Sequence, residues 1–180
     1  MKQKNSVFIG VSIDGYIADK NGGLDWLDMI PNPDGDDMGY FEFTDNIDAL
    51  IMGRTTFETV LGFDVEWPYK KPVFVLSSTM ENIPESHRGK AFLAKGTLTE
   101  ILNQIHAKGF ERLYIDGGTT IQSFLREDLI DEMIISTIPI LLGGGFSLFA
   151  DLPKELEFEL IKSTTCLNQI TQNHFRRKRP

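Results

Sequence analysis

Leu113-Tyr114-Ile115-Asp116-Gly117-Gly118-Thr119-Thr120, residues 113–120, passes from an apolar run to an acid, a glycine pair and two threonines. The run Leu113–Ile115 has the character of a central strand covered on both faces. Thr119 or Thr120 can cap the helix that follows, whose inward positions are Ile121, Phe124 and Leu125. A strand that enters a helix through glycines is the basic step of an α/β layer structure. The step recurs upstream, where Ala49–Met52 runs into Gly53-Arg54-Thr55-Thr56 and Thr55 or Thr56 begins a helix with Phe57, Val60 and Leu61 inward.

Working outward from these junctions, Val7–Ser12 and Val73–Leu76 read as further central strands, and Ala91–Ala94 as a strand with a weaker pattern. Leu98, Ile101, Leu102 and Ile105 recur at helical spacing between Thr97 or Thr99 as cap and Gly109 as terminator. An acidic helix is expected between Asp36 and Asp45, carrying Tyr40, Phe41 and Phe43. Glu132–Leu141, Leu156–Lys162 and Ile170–Phe175 follow without helical patterns between them, as antiparallel strands closing one side of the sheet would. The expectation is one α/β domain over residues 1–180, a mixed sheet with helices on both faces.

Composition narrows the function. The formal net charge of −8 argues against general binding to nucleic acid or an anionic membrane. Arg176-Arg177-Lys178-Arg179 is a local exception, expected to be a solvated tail end. No apolar run approaches the length of about 20 residues that spans a bilayer, and the N-terminus has no signal-peptide core. A cytoplasmic location is the expectation. Cys166 is the only cysteine, which excludes an internal disulfide, and His87, His106 and His174 lack metal-ligand spacing, so no metal is expected.

In open α/β sheets ligands bind beyond the carboxyl ends of the strands. Gly53 and the pair Gly117-Gly118 allow main-chain amides to close on an anion, and Arg54 adds a fixed cationic fork. Neither junction is a P-loop or a Gly-x-Gly-x-x-Gly motif. Two strand-to-helix anion sites in one small sheet are nevertheless what a dinucleotide requires. Leu76-Ser77-Ser78-Thr79 adds hydroxyls for an adenosine ribose or its phosphate. The glycine-rich stretch Leu141–Phe146 reads either as a loop that folds over a bound ligand or as a wide connection between antiparallel strands, and Asp14 as a turn residue before Gly15.

The ordered set Ser12-Ile13-Asp14-Gly15-Tyr16-Ile17-Ala18, Met52–Thr56, Val75–Ser78, Asp116-Gly117-Gly118 and Pro139–Gly145 resembles dihydrofolate-reductase-like proteins. Within them it is most similar to the reductase domain of riboflavin biosynthesis, which reduces a phosphoribosylamino-pyrimidine with NADPH. The resemblance implies an eight-stranded sheet and an NADPH-dependent reductase of a small heterocyclic substrate, acting as a homodimer. It implies phosphate contacts for Gly53, Arg54, Thr55 and Thr56, with Arg54 on the 2′-phosphate. Leu76, Ser77 and Ser78 would border the adenosine. Gly117, Gly118, Thr119 and Thr120 would hold the pyrophosphate, and Ala18 would face the nicotinamide carboxamide. Trp26 lies either beside the cofactor or in the core.

Departures matter too. No zinc-deaminase motif is present, and Asp116 stands where riboflavin reductases commonly have glutamate. Asp37 falls where dihydrofolate reductases keep their proton-donating carboxylate, but the folate-contacting basic residue has no counterpart. Asp116 and Asp37 are the candidate acids. A pterin reductase and a non-catalytic NADP-binding module are the alternatives.

Overall fold

The computed structural model describes residues 3–179. In chain order the strands are β1 (Lys4–Ser12), β2 (Tyr16–Ala18), β3 (Ala49–Gly53), β4 (Val73–Leu76), β5 (Ala91–Ala94), β6 (Arg112–Asp116), β7 (Glu132–Ile138), β8 (Phe146–Ser147), β9 (Phe158–Cys166) and β10 (Ile170–Arg177). The helices are α1 (Tyr40–Asp45), α2 (Arg54–Leu61), α3 (Leu98–Ala107) and α4 (Gly118–Arg126). Eight strands make one sheet in the order β5-β4-β3-β6-β1-β7-β10-β9, while β2 and β8 pair separately. Neighbours from β5 through β7 are parallel; β10 runs antiparallel between β7 and β9. This is the mixed, mainly parallel sheet with an antiparallel end that the sequence pattern implies.

Alternation along the central strands builds two cores. Ala49 and Ile51 of β3 join Ile101, Leu102 and Ile105 of α3 and Ile121, Phe124 and Leu125 of α4. Leu50 and Met52 point the other way, to Phe57 of α2 and the half-buried Tyr40 and Phe43 of α1. Helices therefore cover both faces. Cys166 is buried at the far end of the sheet.

Several local expectations are corrected. Thr97, not Thr99, caps α3: its hydroxyl accepts from the Glu100 amide at 3.3 Å, and the Glu100 carboxylate accepts from the Thr97 amide at 2.8 Å. No threonine caps α2 or α4, because Gly53 and Gly117 occupy the cap positions and the threonines already lie in the first turns. Their hydroxyls are free for other work. The acidic helix shrinks to Tyr40–Asp45, since Met38 and Gly39 take left-handed φ values of 52° and 84° and break the run. β7 ends at Ile138, before Pro139, which has no N–H for the ladder. β9 extends to Cys166 because main-chain pairing with β10 carries the strand through Ser163, Thr164 and Thr165, where no apolar side chain marks it.

The basic C-terminal run is no solvated tail. Arg176 and Arg177 belong to β10. Arg177, 6% exposed in its side chain, pairs with Asp128 at 2.7 Å; Arg176 pairs with Glu132 and Arg179 with Asp131. These guanidiniums clamp the C-terminal end of the chain to the turn after α4 and to the first residue of β7. Arg177→Met is expected to cost about 2 kcal/mol in urea unfolding, below the full penalty for a broken buried pair because Lys154 also pairs with Asp128.

Candidate active site

Parallel registers bring four strand ends to one edge of the sheet. Met52 stands opposite Asp116, Gly53 opposite Leu76, and Leu76 opposite Ala94. Beyond them opens a cleft of about 1230 Å³, larger than the roughly 300–1,000 Å³ that serves one small ligand.

The two glycine junctions interlock across its floor. A Cβ on Gly117 would lie 2.2 Å from Thr56 Oγ1, and one on Gly53 would lie 3.1 Å from Thr120 Oγ1. Gly117 has φ +87°, and Gly118 lies so close to Ile17 and the Ser147 carbonyl that a Cβ would come within 2.9 Å and 3.2 Å of them. Backbone thus occupies the surface that side chains would otherwise fill. The first-turn amides of α2 and α4, which have no partner within their helices, open beside it.

At one end of the cleft Arg54 donates to Thr79 Oγ1 at 3.1 Å and pairs with Glu58 at 3.3 Å. Ser77 Oγ accepts from the amides of Thr79 and Met80 at 3.2 Å and 2.9 Å, which shapes the loop after β4. Lys95 and Gly96, directly after β5, complete this end. Sequence reading passed over Lys95, although it follows its strand as Arg54 follows β3.

Asp116, half-buried, lies between the junctions. Burial pushes its carboxyl up to about 6, and a 2.8 Å hydrogen bond from the Gly117 amide offsets part of that rise. Three phenols are close enough to feel its charge. Tyr40 is pushed up to about 12, first by burial and then by Asp116, and Tyr69 and Tyr114 are raised for the same reasons. Tyr114 donates to the Phe8 carbonyl at 2.9 Å, whereas Tyr69 lines the cleft. Tyr69 sits in an irregular segment with no periodicity to mark it, and it too escaped the sequence.

The glycine loop forms part of the wall, not a free flap. Asp14 accepts from Ser12 Oγ at 2.6 Å, from the Leu142 amide at 3.1 Å and from the Gly143 amide at 2.7 Å. These bonds hold the Asp14 carboxyl below its ordinary range, that from Ser12 most strongly. Gly145 passes so close to the Ala18 carbonyl that a Cβ would lie 2.1 Å from it. β8 then pairs with β2, a strand pair too short to read from the sequence, and Gly145, Phe146 and Ser147 face the cleft.

Of the residues singled out from sequence, Ala18, Gly53, Arg54, Thr55, Thr56, Leu76, Ser77, Ser78, Asp116, Gly117, Gly118, Thr119 and Thr120 all line this one cleft. Two do not. Trp26 is 8% exposed and packs with Ile30, Ile138, Cys166 and Ile170, so it is a core aromatic. Asp37 accepts from the amides of Gly39 and Phe41 at 3.1 Å and 2.6 Å on an exposed turn, where it stabilises the start of α1.

Comparison with known proteins agrees with the fold. The model of the RibD C-terminal domain family matches residues 5–172. A Shewanella sp. PV-4 protein provisionally described as a riboflavin biosynthesis protein is 55% identical; its crystal structure gives a TM-score of 0.96 over 98% of this chain and 99% of that one. The uncharacterized Bacillus subtilis protein YwjB is 34% identical over 97% of this chain and 98% of its own length. Dihydrofolate reductase from Enterococcus faecalis, complexed with NADP(H) and RAB-propyl, shares the fold at 17% identity, with a TM-score of 0.68 over 98% of this chain and 97% of that one.

Proposed function

Since the chain belongs to the RibD C-terminal domain family, we propose that it is an NADPH-dependent reductase of a small heterocyclic substrate. The observation that carries this reading is the interlocked pair of glycine junctions at the strand ends, a backbone-lined cradle that a Cβ at Gly117 would fill. A long diphosphate fits such a cradle because amides at neighbouring helix starts can donate to it along its length. Arg54, Ser77, Ser78 and Lys95 would hold the adenosine end with its 2′-phosphate, Gly117 to Thr120 the diphosphate, and Ala18 the carboxamide end.

When bound, NADPH supplies the hydride. The chain itself excludes water with the wall formed by Gly145, Phe146 and Ser147, aligns the acceptor, and delivers a proton. Asp116 is suited to that last task, since a carboxyl raised to about 6 keeps about a tenth of its population protonated at pH 7, far more than an ordinary carboxyl does. An acid so tuned inside the cleft favours turnover over a merely cofactor-binding module.

Calorimetric titration of the chain with NADPH tests the reading. Saturable heat at micromolar to millimolar coenzyme is expected, and its absence with both NADPH and NADH would refute the assignment. Arg54→Ala is expected to weaken NADPH by about 10- to 100-fold, the range for a lost charge-assisted bond, and NADH by less than about twofold. Equal losses would remove Arg54 from the 2′-phosphate.

A further inference from the structure

The cations of the cleft are unevenly distributed. Among the described residues that line it, only Arg54 and Lys95 are cationic, and both follow strands at the end assigned above to the adenosine. The opposite end lies where the strand order brings β6 and β1, across β3 from β4 and β5. Gly10 of β1 has Leu27 against it, and Tyr69 is near enough to Asp116 to feel its charge, while Thr59 and Val60 of α2 and Phe63 just after it also line the cleft. Leu27 closes tightly on the strand there: a Cβ on Gly10 would lie 2.7 Å from its Cδ2. The ionisable acid at this end is Asp116. Lys70 and Lys71 follow Tyr69 in the chain, and Lys20 lies against Gly144, but none of them lines the cleft.

A phosphate monoester carries roughly −1.5 to −2 charges near neutral pH and seeks Arg, Lys or helix-start amides. The amides of α2 and α4 belong to the diphosphate cradle. A phosphorylated acceptor would therefore place an unpaired anion against apolar groups and beside a carboxyl of the same sign.

We propose that the hydride acceptor of this chain is an uncharged, unphosphorylated planar ring seated between Leu27, Phe63 and Tyr69, rather than the phosphorylated ribosylamino-pyrimidine suggested by the family resemblance. This rests on the reductase reading, and the test separates the two. Thr59 and Asp116 offer the polar atoms that orient such a ring, while the apolar wall selects for a flat face.

The experiment uses the whole chain after calorimetry has established coenzyme saturation; failure at that step refutes the reductase reading and the proposal that rests on it, whereas saturation followed by the outcomes below tests the acceptor alone. Matched pairs of ring compounds with and without a phosphate ester, including the ribosylaminouracil with and without its 5′-phosphate, are then titrated into the NADP⁺-loaded chain. Loss of NADPH absorbance is followed with the same compounds and with a panel of neutral pterins and pyrimidines. The unphosphorylated member of each pair that binds should do so about tenfold or more tightly, and at least one neutral ring should be reduced. Preference for any phosphate ester over its matched partner, or coenzyme saturation with no neutral ring reduced, overturns the proposal. Thr59→Arg supplies a second measure, since a cation placed in this wall should narrow or reverse the preference; an unchanged ratio also counts against the assignment.

Discussion

Replacing Gly117 with alanine is expected to abolish useful nucleotide binding, raising the NADPH dissociation constant by about 100-fold or more. Two physical effects combine. At φ +87° and ψ 136° Gly117 occupies backbone space that is essentially reserved for glycine, where an L side chain costs about 1–3 kcal/mol. The new methyl would also lie 2.2 Å from Thr56 Oγ1, well inside contact distance, and Thr56 sits in the first turn of α2. Relief requires either that Gly117 rotate out of its conformation or that the start of α2 retreat. Either movement separates the two sets of helix-start amides that the cradle depends on. Calorimetry of the variant with NADPH reads the loss, and urea unfolding should show a drop of only about 1–3 kcal/mol, leaving a cooperative fold. Coenzyme binding within about threefold of the parent would mean that the junctions do not act together.

Asp116→Asn is expected to lower kcat by about 10²- to 10⁴-fold, the range for loss of a general acid, with NADPH affinity changed less than about twofold. The Gly117 amide donates to Asp116 Oδ1, and the asparagine carbonyl can accept the same bond, so the cradle should survive. The parent should show kcat declining as pH rises through about 6, because the acid must keep its proton to deliver it. The variant should lack that limb. A pH profile still falling through the same range in Asp116→Asn would transfer the role to another group.

The same substitution makes a stability prediction of known sign. Raising the folded carboxyl from 3.8 to about 6 means that the folded chain holds this proton more tightly than the unfolded chain does. Stability from this group is therefore present at acid pH, falls as pH climbs from the ordinary value toward about 6, and stays lower above it. Asparagine removes the cost of a charged carboxyl at neutral pH. Asp116→Asn should raise the melting temperature at pH 8 relative to the parent, and the gain should shrink toward pH 4. A gain in stability alongside a loss in rate is the signature of a group retained for chemistry.

Where the sequence was legible, the reason is local. Val73–Leu76 and Ala49–Met52 are apolar throughout because both faces of each strand are covered, and such a run announces itself without partners. Glycines between a strand and a helix are equally local, and both junctions fell on the cleft. Helix starts were less certain: Thr119 and Thr120 have the chemistry of caps, yet the positive φ of Gly117 starts the helix earlier and leaves them inside its first turn. Trp26 lies in the core, one of its two readings, and Asp37 on an exposed turn, and the sequence left both open for a different reason. Their assignments came from positional analogy, and neither distance along the chain nor residue type says which way a side chain points after a turn.

What the sequence by itself determined is the chain order of the eight main-sheet strands and the four helices, the two amide-rich junctions and the acid beside one of them, since each depends on residues adjacent in the chain. Only the tertiary structure decided that Lys95 joins Arg54 at one end of the cleft, that Tyr69 and Leu27 wall the other, and that Asp14 pins a loop 128 residues away. It alone turned Arg176, Arg177 and Arg179 from an apparent tail into a clamp. These are contacts across the sheet, set by strand order and register, and a side chain's partner there is chosen by topology, to which its chain neighbours give no clue.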